Sequence, residues 1–147
     1  MNYSSSSSAT VPAPEPTDQI LEDLSMLIVE DQFIVAVGIE KTFRDAGARN
    51  VRIAGTMEDA WAAIKEEDFD AALLDIRLPD GYSFPLALKL FGDGMPVVMH
   101  SGHAEIYHSA KLPGIIFCPK PATPVEVVDS VIKAQRLSIE GSSPLAS

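Results

Sequence analysis

The chain has 147 residues, enough for one ordinary domain but not for two independent cores, and its 11 Lys+Arg against 21 Asp+Glu leave a formal charge of −10. That deficit of cations disfavours binding to nucleic acid or to an anionic membrane surface, both of which select a basic footprint. A single cysteine, Cys118, excludes an internal disulfide framework and a cysteine-based zinc cluster, and no apolar run approaches the ~20 residues of a membrane-spanning helix.

Residues 1 to 24 read as a disordered tail. Ser4 to Ser8 is a homopolymer run, and Pro12, Pro14 and Pro16 alternate with small or acidic residues, so little apolar surface offsets the entropy of ordering. The first cation is Lys41, so the N-terminus lacks the basic start of a secretory signal and the Arg content of a transit peptide. The expectation is a soluble, cytoplasmic protein whose body spans residues 25–137, followed by a flexible tail over 138–147.

Within that body, short apolar runs alternate with helical patterns. Met26 to Val29 is the first run and ends in Glu30-Asp31. Val35, Ile39 and Phe43 then recur at helical spacing, with Gly47 as the stop. Val51 to Ala54 is the second run, and Thr56 caps a helix carrying Met57, Ala60, Trp61 and Ile64, with Asp59 as a weak capping-box partner. Ala71 to Leu74 is the third and ends in Asp75; a turn at Pro79-Asp80-Gly81 leads into a helix over Ser83 to Phe91.

Pro96 to Met99 is the fourth run and ends near Ser101. Ile115 to Cys118 is the fifth, followed by Pro119-Lys120-Pro121. Thr123-Pro124-Val125-Glu126 opens the last helix with a cap, a proline at the first helical position and an acid at the third. Runs that are apolar throughout predict a parallel sheet covered on both faces, and right-handed crossovers make it a doubly wound α/β sheet.

In such a sheet, ligands bind outside the carboxyl ends of the strands. Glu30, Asp31, Asp75, Ser101 and Lys120 each fall at such an end. Crowded carboxylates repel one another and are reconciled by a hard divalent cation, for which Mg²⁺ is the candidate. Beside it, a carboxylate can attack phosphorus, a hydroxyl can bond an equatorial oxygen and an ammonium can balance charge. Formation of an aspartyl phosphate uses all of these parts.

Four segments resemble the motifs of response-regulator receiver domains: Ile28-Val29-Glu30-Asp31, Leu73 to Gly81, Val98-Met99-His100-Ser101-Gly102 and Phe117-Cys118-Pro119-Lys120-Pro121. They occur in the family's order over residues 25 to 137. The resemblance implies a flavodoxin-like (βα)5 fold with strand order 2-1-3-4-5 in a stand-alone regulator of bacterial two-component phosphorelays. It implies phosphorylation of Asp75 by a histidine kinase or histidine phosphotransfer protein. Mg²⁺ would be held by Asp31, Asp75 and the backbone carbonyl of Arg77, with Glu30 bound through water.

Ser101 would bond the phosphoryl group and Lys120 would pair with it, across a cis Lys120-Pro121 peptide. Phe117 matches the aromatic switch position, while Arg77 and His103 match the two rim positions that tune dephosphorylation. Downstream protein partners, or a role as phosphate sink, follow from the family. The surface of the fourth helix, fifth strand and fifth helix is the candidate homodimer face. One departure is local: Ser101 to Lys120 is short for the family, and Lys111-Leu112-Pro113-Gly114 cuts the fourth helix off early.

Taken singly, each residue also has a plain reading. Asp75 is a turn residue, Glu30 and Asp31 are helix-capping acids, Ser101 is a loop hydroxyl, Lys120 a solvated charge and Phe117 a core aromatic. His100, His103 and His108 read as surface or rim histidines, and Cys118 as a small buried apolar group rather than a nucleophile. Two other functions compete with a non-enzymatic switch. A haloacid-dehalogenase-like phosphohydrolase would want an acid two residues after the nucleophile, where Arg77 stands; a degenerate receiver would bind partners without phosphorylation.

Overall fold

The computed structural model describes residues 20–141, and apart from a short two-stranded ribbon over residues 77–82 its strands and helices alternate. In chain order they are β1 (Ser25–Val29), α1 (Phe33–Asp45), β2 (Asn50–Ala54), α2 (Met57–Glu66), β3 (Ala71–Leu74), α3 (Phe84–Gly92), β4 (Val97–Ser101), α4 (Ala104–Ala110), β5 (Ile116–Pro119) and α5 (Pro124–Gly141). These strands pair in parallel in the expected order, β2-β1-β3-β4-β5. The three inner strands are buried at every position, which is why they are apolar without alternation.

Side chains leave each strand on alternate faces and feed two cores. Met26, Ile28, Leu73, Val98 and Cys118 meet Ala36, Ile39 and Phe43 of α1 and Val127, Val128 and Val131 of α5. Leu27, Val29, Ala72, Leu74, Val97 and Met99 meet Ala60 and Ala63 of α2 and Leu86, Ala87 and Leu90 of α3. Burial along α1 follows Ala36, Ile39 and Phe43, with Val35 only half-buried at the flank of that stripe.

Local signals in the chain account for most boundaries. Thr56 Oγ1 accepts from Asp59 N at 3.0 Å, and Thr123 and Glu126 form a reciprocal capping box at 2.8 and 3.2 Å. Helix α4 has only seven residues, none fully buried, and ends at Lys111 in the left-handed conformation. The turn that follows needs Gly114: its φ is +89°, and a Cβ there would overlap the Phe91 ring.

Three boundaries differ from the sequence expectation. The turn at Pro79-Asp80-Gly81 is the bend of a two-stranded antiparallel ribbon that pairs Arg77–Leu78 with Gly81–Tyr82. The body begins before residue 25, because Leu21 is fully buried and its N–H donates to Ala46 O at 2.8 Å. At the other end α5 runs on to Gly141, and Ser138 Oγ donates to Gly94 O at 2.7 Å. The rest of the two expected tails, 1–19 and 142–147, lies outside the described residues.

Candidate functional site

The site is built where three inner strands end. One further ladder bond past β1 and β3, from Glu30 N to Ala54 O and from Asp75 N to Val29 O (both 2.9 Å), fixes the backbone of both acids. Carboxylate oxygens of Glu30, Asp31 and Asp75 lie within 4.8 Å of one another. Glu30 and Asp75 are buried, and Asp31 is exposed at the rim. From the fifth strand end, Lys120 Nζ donates to Glu30 Oε1 at 2.6 Å and to Asp75 Oδ2 at 3.0 Å.

Backbone donors complete the shell. Gln32 N–H reaches Glu30 Oε2 at 3.0 Å and Ile76 N–H reaches Asp75 Oδ1 at 2.7 Å. Burial pushes the Glu30 carboxyl above its ordinary range, partly offset by the Lys120 and Gln32 donors. Burial also works against the Lys120 ammonium, but Glu30 and Asp75 outweigh it and hold its pKa above the usual value. Three carboxylates against one ammonium leave net negative charge on hard oxygen donors, which fits Mg²⁺.

Ser101 is fully buried on the same rim; its Oγ accepts from His103 N at 3.2 Å, and its carbonyl accepts from Lys120 N at 3.0 Å. Phe117 lies one layer out, half-buried and stacked on Tyr107 of α4 with ring centres 4.7 Å apart. Arg77 is exposed in the ribbon, and His103 is half-exposed at the N-cap of α4. The peptide between Lys120 and Pro121 is cis, as expected.

Two residues near the site have roles that the sequence reading did not give them. Ser83, read as the start of α3, is its N-cap and also donates its buried hydroxyl to Asp75 O at 2.6 Å. Asp80, read as a turn residue, reaches 22 and 23 positions back to accept from Glu58 N and Met57 N at 3.0 Å, clasping the ribbon to the start of α2. These backbone donors hold its carboxyl below the usual range. A serine before Phe-Pro marked a special position at 83; nothing in the sequence marked the partner of Asp80.

His100 corrects an expectation. It is not a rim or surface histidine but 4% exposed, because strand alternation turns it toward the α1–α5 layer, with Nδ1 against Cys118 O at 2.9 Å. Burial holds its imidazole below the ordinary range; the Lys120 charge adds to this, while the Cys118 carbonyl and the Asp75 carboxylate oppose it. A base with a depressed folded-state pKa is protonated first in the unfolded chain. Acidification through the unfolded-state value of about 6.5 therefore removes stability until the folded-state pKa is reached. The melting temperature should fall over that window, and the fall should be shallower in His100→Leu; equal slopes in the two proteins would refute the assignment.

The family model for the response regulator receiver domain matches residues 26–131. The chain therefore belongs to the response-regulator receiver family. Among solved structures, a response regulator receiver protein from Sinorhizobium medicae is 26% identical, with a TM-score of 0.71 over 80% of this chain and 98% of that one. SdrG from Sphingomonas melonis is 26% identical, with a TM-score of 0.66 over 76% and 95%. The anti-anti-sigma factor PhyR from Bartonella quintana is 24% identical (TM-score 0.68), a likeness of fold alone; it covers 84% of this chain but only 51% of PhyR. No curated protein matches the chain.

Proposed function

We propose that this chain is a phosphorylation-dependent switch of a bacterial two-component phosphorelay, taking a phosphoryl group onto Asp75 from a histidine kinase or a histidine phosphotransfer protein. The observation that carries this reading is the set of three clustered carboxylates with Lys120 bonded to two of them. An Asp75 carboxylate oxygen attacks phosphorus, the bond from phosphorus to the donor imidazole breaks, and its electron pair returns to that nitrogen. Glu30, Asp31, Asp75 and the Arg77 carbonyl are the residues that would hold Mg²⁺, Glu30 through water; when bound, the cation screens the carboxylates and takes up phosphoryl charge.

Lys120, already on Asp75, is placed to transfer one of its N–H donors to the phosphoryl group. Ser101 Oγ accepts from His103 N and so keeps its own proton for a phosphoryl oxygen. Output passes through protein partners or ends here as a phosphate sink, in the cytoplasm and without turnover of an external substrate. Among the described residues no helix is long and apolar enough to cross a membrane. A homodimer through α4, β5 and α5 is part of the same reading.

The test is stoichiometric. With Mg²⁺ and a small acyl-phosphate donor, the chain should accept one phosphoryl group, and Asp75→Asn should accept none. Asp31→Asn should weaken the Mg²⁺ dependence. Steady turnover of a phosphate ester would favour the phosphohydrolase, and no labelling at all the degenerate receiver.

A further inference from the structure

Between α1 and α5, next to the acid cluster but on the other side of Lys120, lies an open groove of about 590 Å³. Its walls are apolar, formed chiefly by Val35 and Ile39 of α1 and Pro121 and Val127 beside and on α5, with Ile34 at the lip 85% exposed. Such a volume falls within the range of small-molecule sites, which pair apolar walls with a few placed polar groups.

The polar group here is His100, which lines the groove although it is only 4% exposed. Its Nδ1 faces the Cys118 carbonyl, an acceptor, so the neutral ring carries its proton on Nδ1 and leaves Nε2 as a bare acceptor. No protein group among the described residues donates to Nε2. Among the described residues no fully buried side-chain nitrogen or oxygen lacks a partner, so Nε2 keeps an opening, and the groove is the opening that His100 lines. The other polar side chains of the wall already have partners: Thr42 Oγ1 donates to Gly38 O at 3.0 Å, and Lys120 Nζ gives two of its three donors to the two acids.

We propose that the α1–α5 groove binds a neutral, largely apolar small molecule of one or two rings that donates one N–H or O–H hydrogen bond to His100 Nε2. Burial, which keeps the imidazole neutral, preserves the acceptor. The site goes beyond the phosphorylation reading and stands without it, since none of its parts needs Asp75 to be modified.

The probe is indole, compared with 1-methylindole, which has nearly the same shape and no donor. Titrated into the isotope-labelled full chain, indole should give saturable amide shifts centred on residues 34–42, 100 and 120–127. It should bind roughly fivefold more tightly than 1-methylindole, the effect of one net hydrogen bond. His100→Leu should erase that preference. Gly38→Trp should block both ligands without touching His100, because a Cβ at Gly38 meets nothing within 4 Å. Equal binding of the two indoles to the unaltered chain, shifts centred elsewhere, or no saturation up to the solubility of indole would overturn the proposal.

Discussion

Changing Lys120 to methionine should lower the unfolding free energy of the cation-free protein by about 3 kcal/mol at neutral pH, among the largest losses expected for any single side chain at the rim. The reason is not the worth of an ion pair in itself. The Glu30 side chain is 1% exposed and that of Asp75 11%, so both carboxylates have given up most of their water. Lys120 is the side-chain donor they share. Removing it strands two buried charges that also repel each other. The Lys120 side chain keeps 20% of its exposure, which places the loss at the lower end of what breaking a buried pair costs.

Three further measurements separate this from a packing defect. The deficit should shrink as pH falls, because the stranded Glu30, already pushed up by burial, takes a proton more readily still. Glu30→Gln in the same chain should lose less than the sum of the two single changes. Mg²⁺ should stabilise Lys120→Met more than the unaltered chain. A loss below about 1 kcal/mol in urea unfolding, or strict additivity with Glu30→Gln, would show that Lys120 does not hold the acids together.

How much of this site was legible depends on distance along the chain. Asp75 and Lys120 are visible because an apolar strand precedes each of them, and the parallel sheet brings all such ends to one rim. The Thr123–Glu126 box is visible because both partners lie within one helical turn. Leu21 was hidden by its neighbours: a short apolar stretch broken by Glu22-Asp23 and preceded by a Pro-rich run reads as tail, and only the core beside Ala46 gives it somewhere to go. His100 was hidden by its setting in His-Ser-Gly, which reads as the start of a loop. In the structure it is still within β4 and paired with Cys118, so the same alternation that buries Val98 buries the imidazole. Asp80 was hidden for the opposite reason, since its partners are more than twenty residues away and are backbone amides, which carry no sequence signal.

Phosphorylation, or its beryllofluoride mimic, should move residues 101–120 more than α1 or α2, and Ser101→Ala should remove most of that movement while leaving Asp75 able to be labelled. A phosphoryl group adds roughly −1.5 to −2 charge and three strong acceptors. Ser101 is the fully buried hydroxyl at the end of β4, but its Oγ accepts from the amide of His103, the N-cap of α4. Turning toward the phosphoryl group costs that bond, so the start of α4 is released as the new bond forms. Few contacts hold this helix: it has no fully buried residue, and its anchors are part-buried Ile106 on the core, the Tyr107 hydroxyl on Ile115 O at 2.5 Å and the stacking of Tyr107 on Phe117. Space opened beside β4 lets the Phe117 ring rotate inward, which breaks the stack and frees that anchor. A charge-assisted hydrogen bond contributes about 1.5–3 kcal/mol, and each ~1.4 kcal/mol shifts a two-state ratio tenfold, so one or two such bonds make a minor α4 position the major one. Amide shifts with and without the mimic decide the matter. If the largest changes outside the acid cluster fall in residues 32–67, or if Ser101→Ala leaves the α4 shifts intact, the coupling runs by another route.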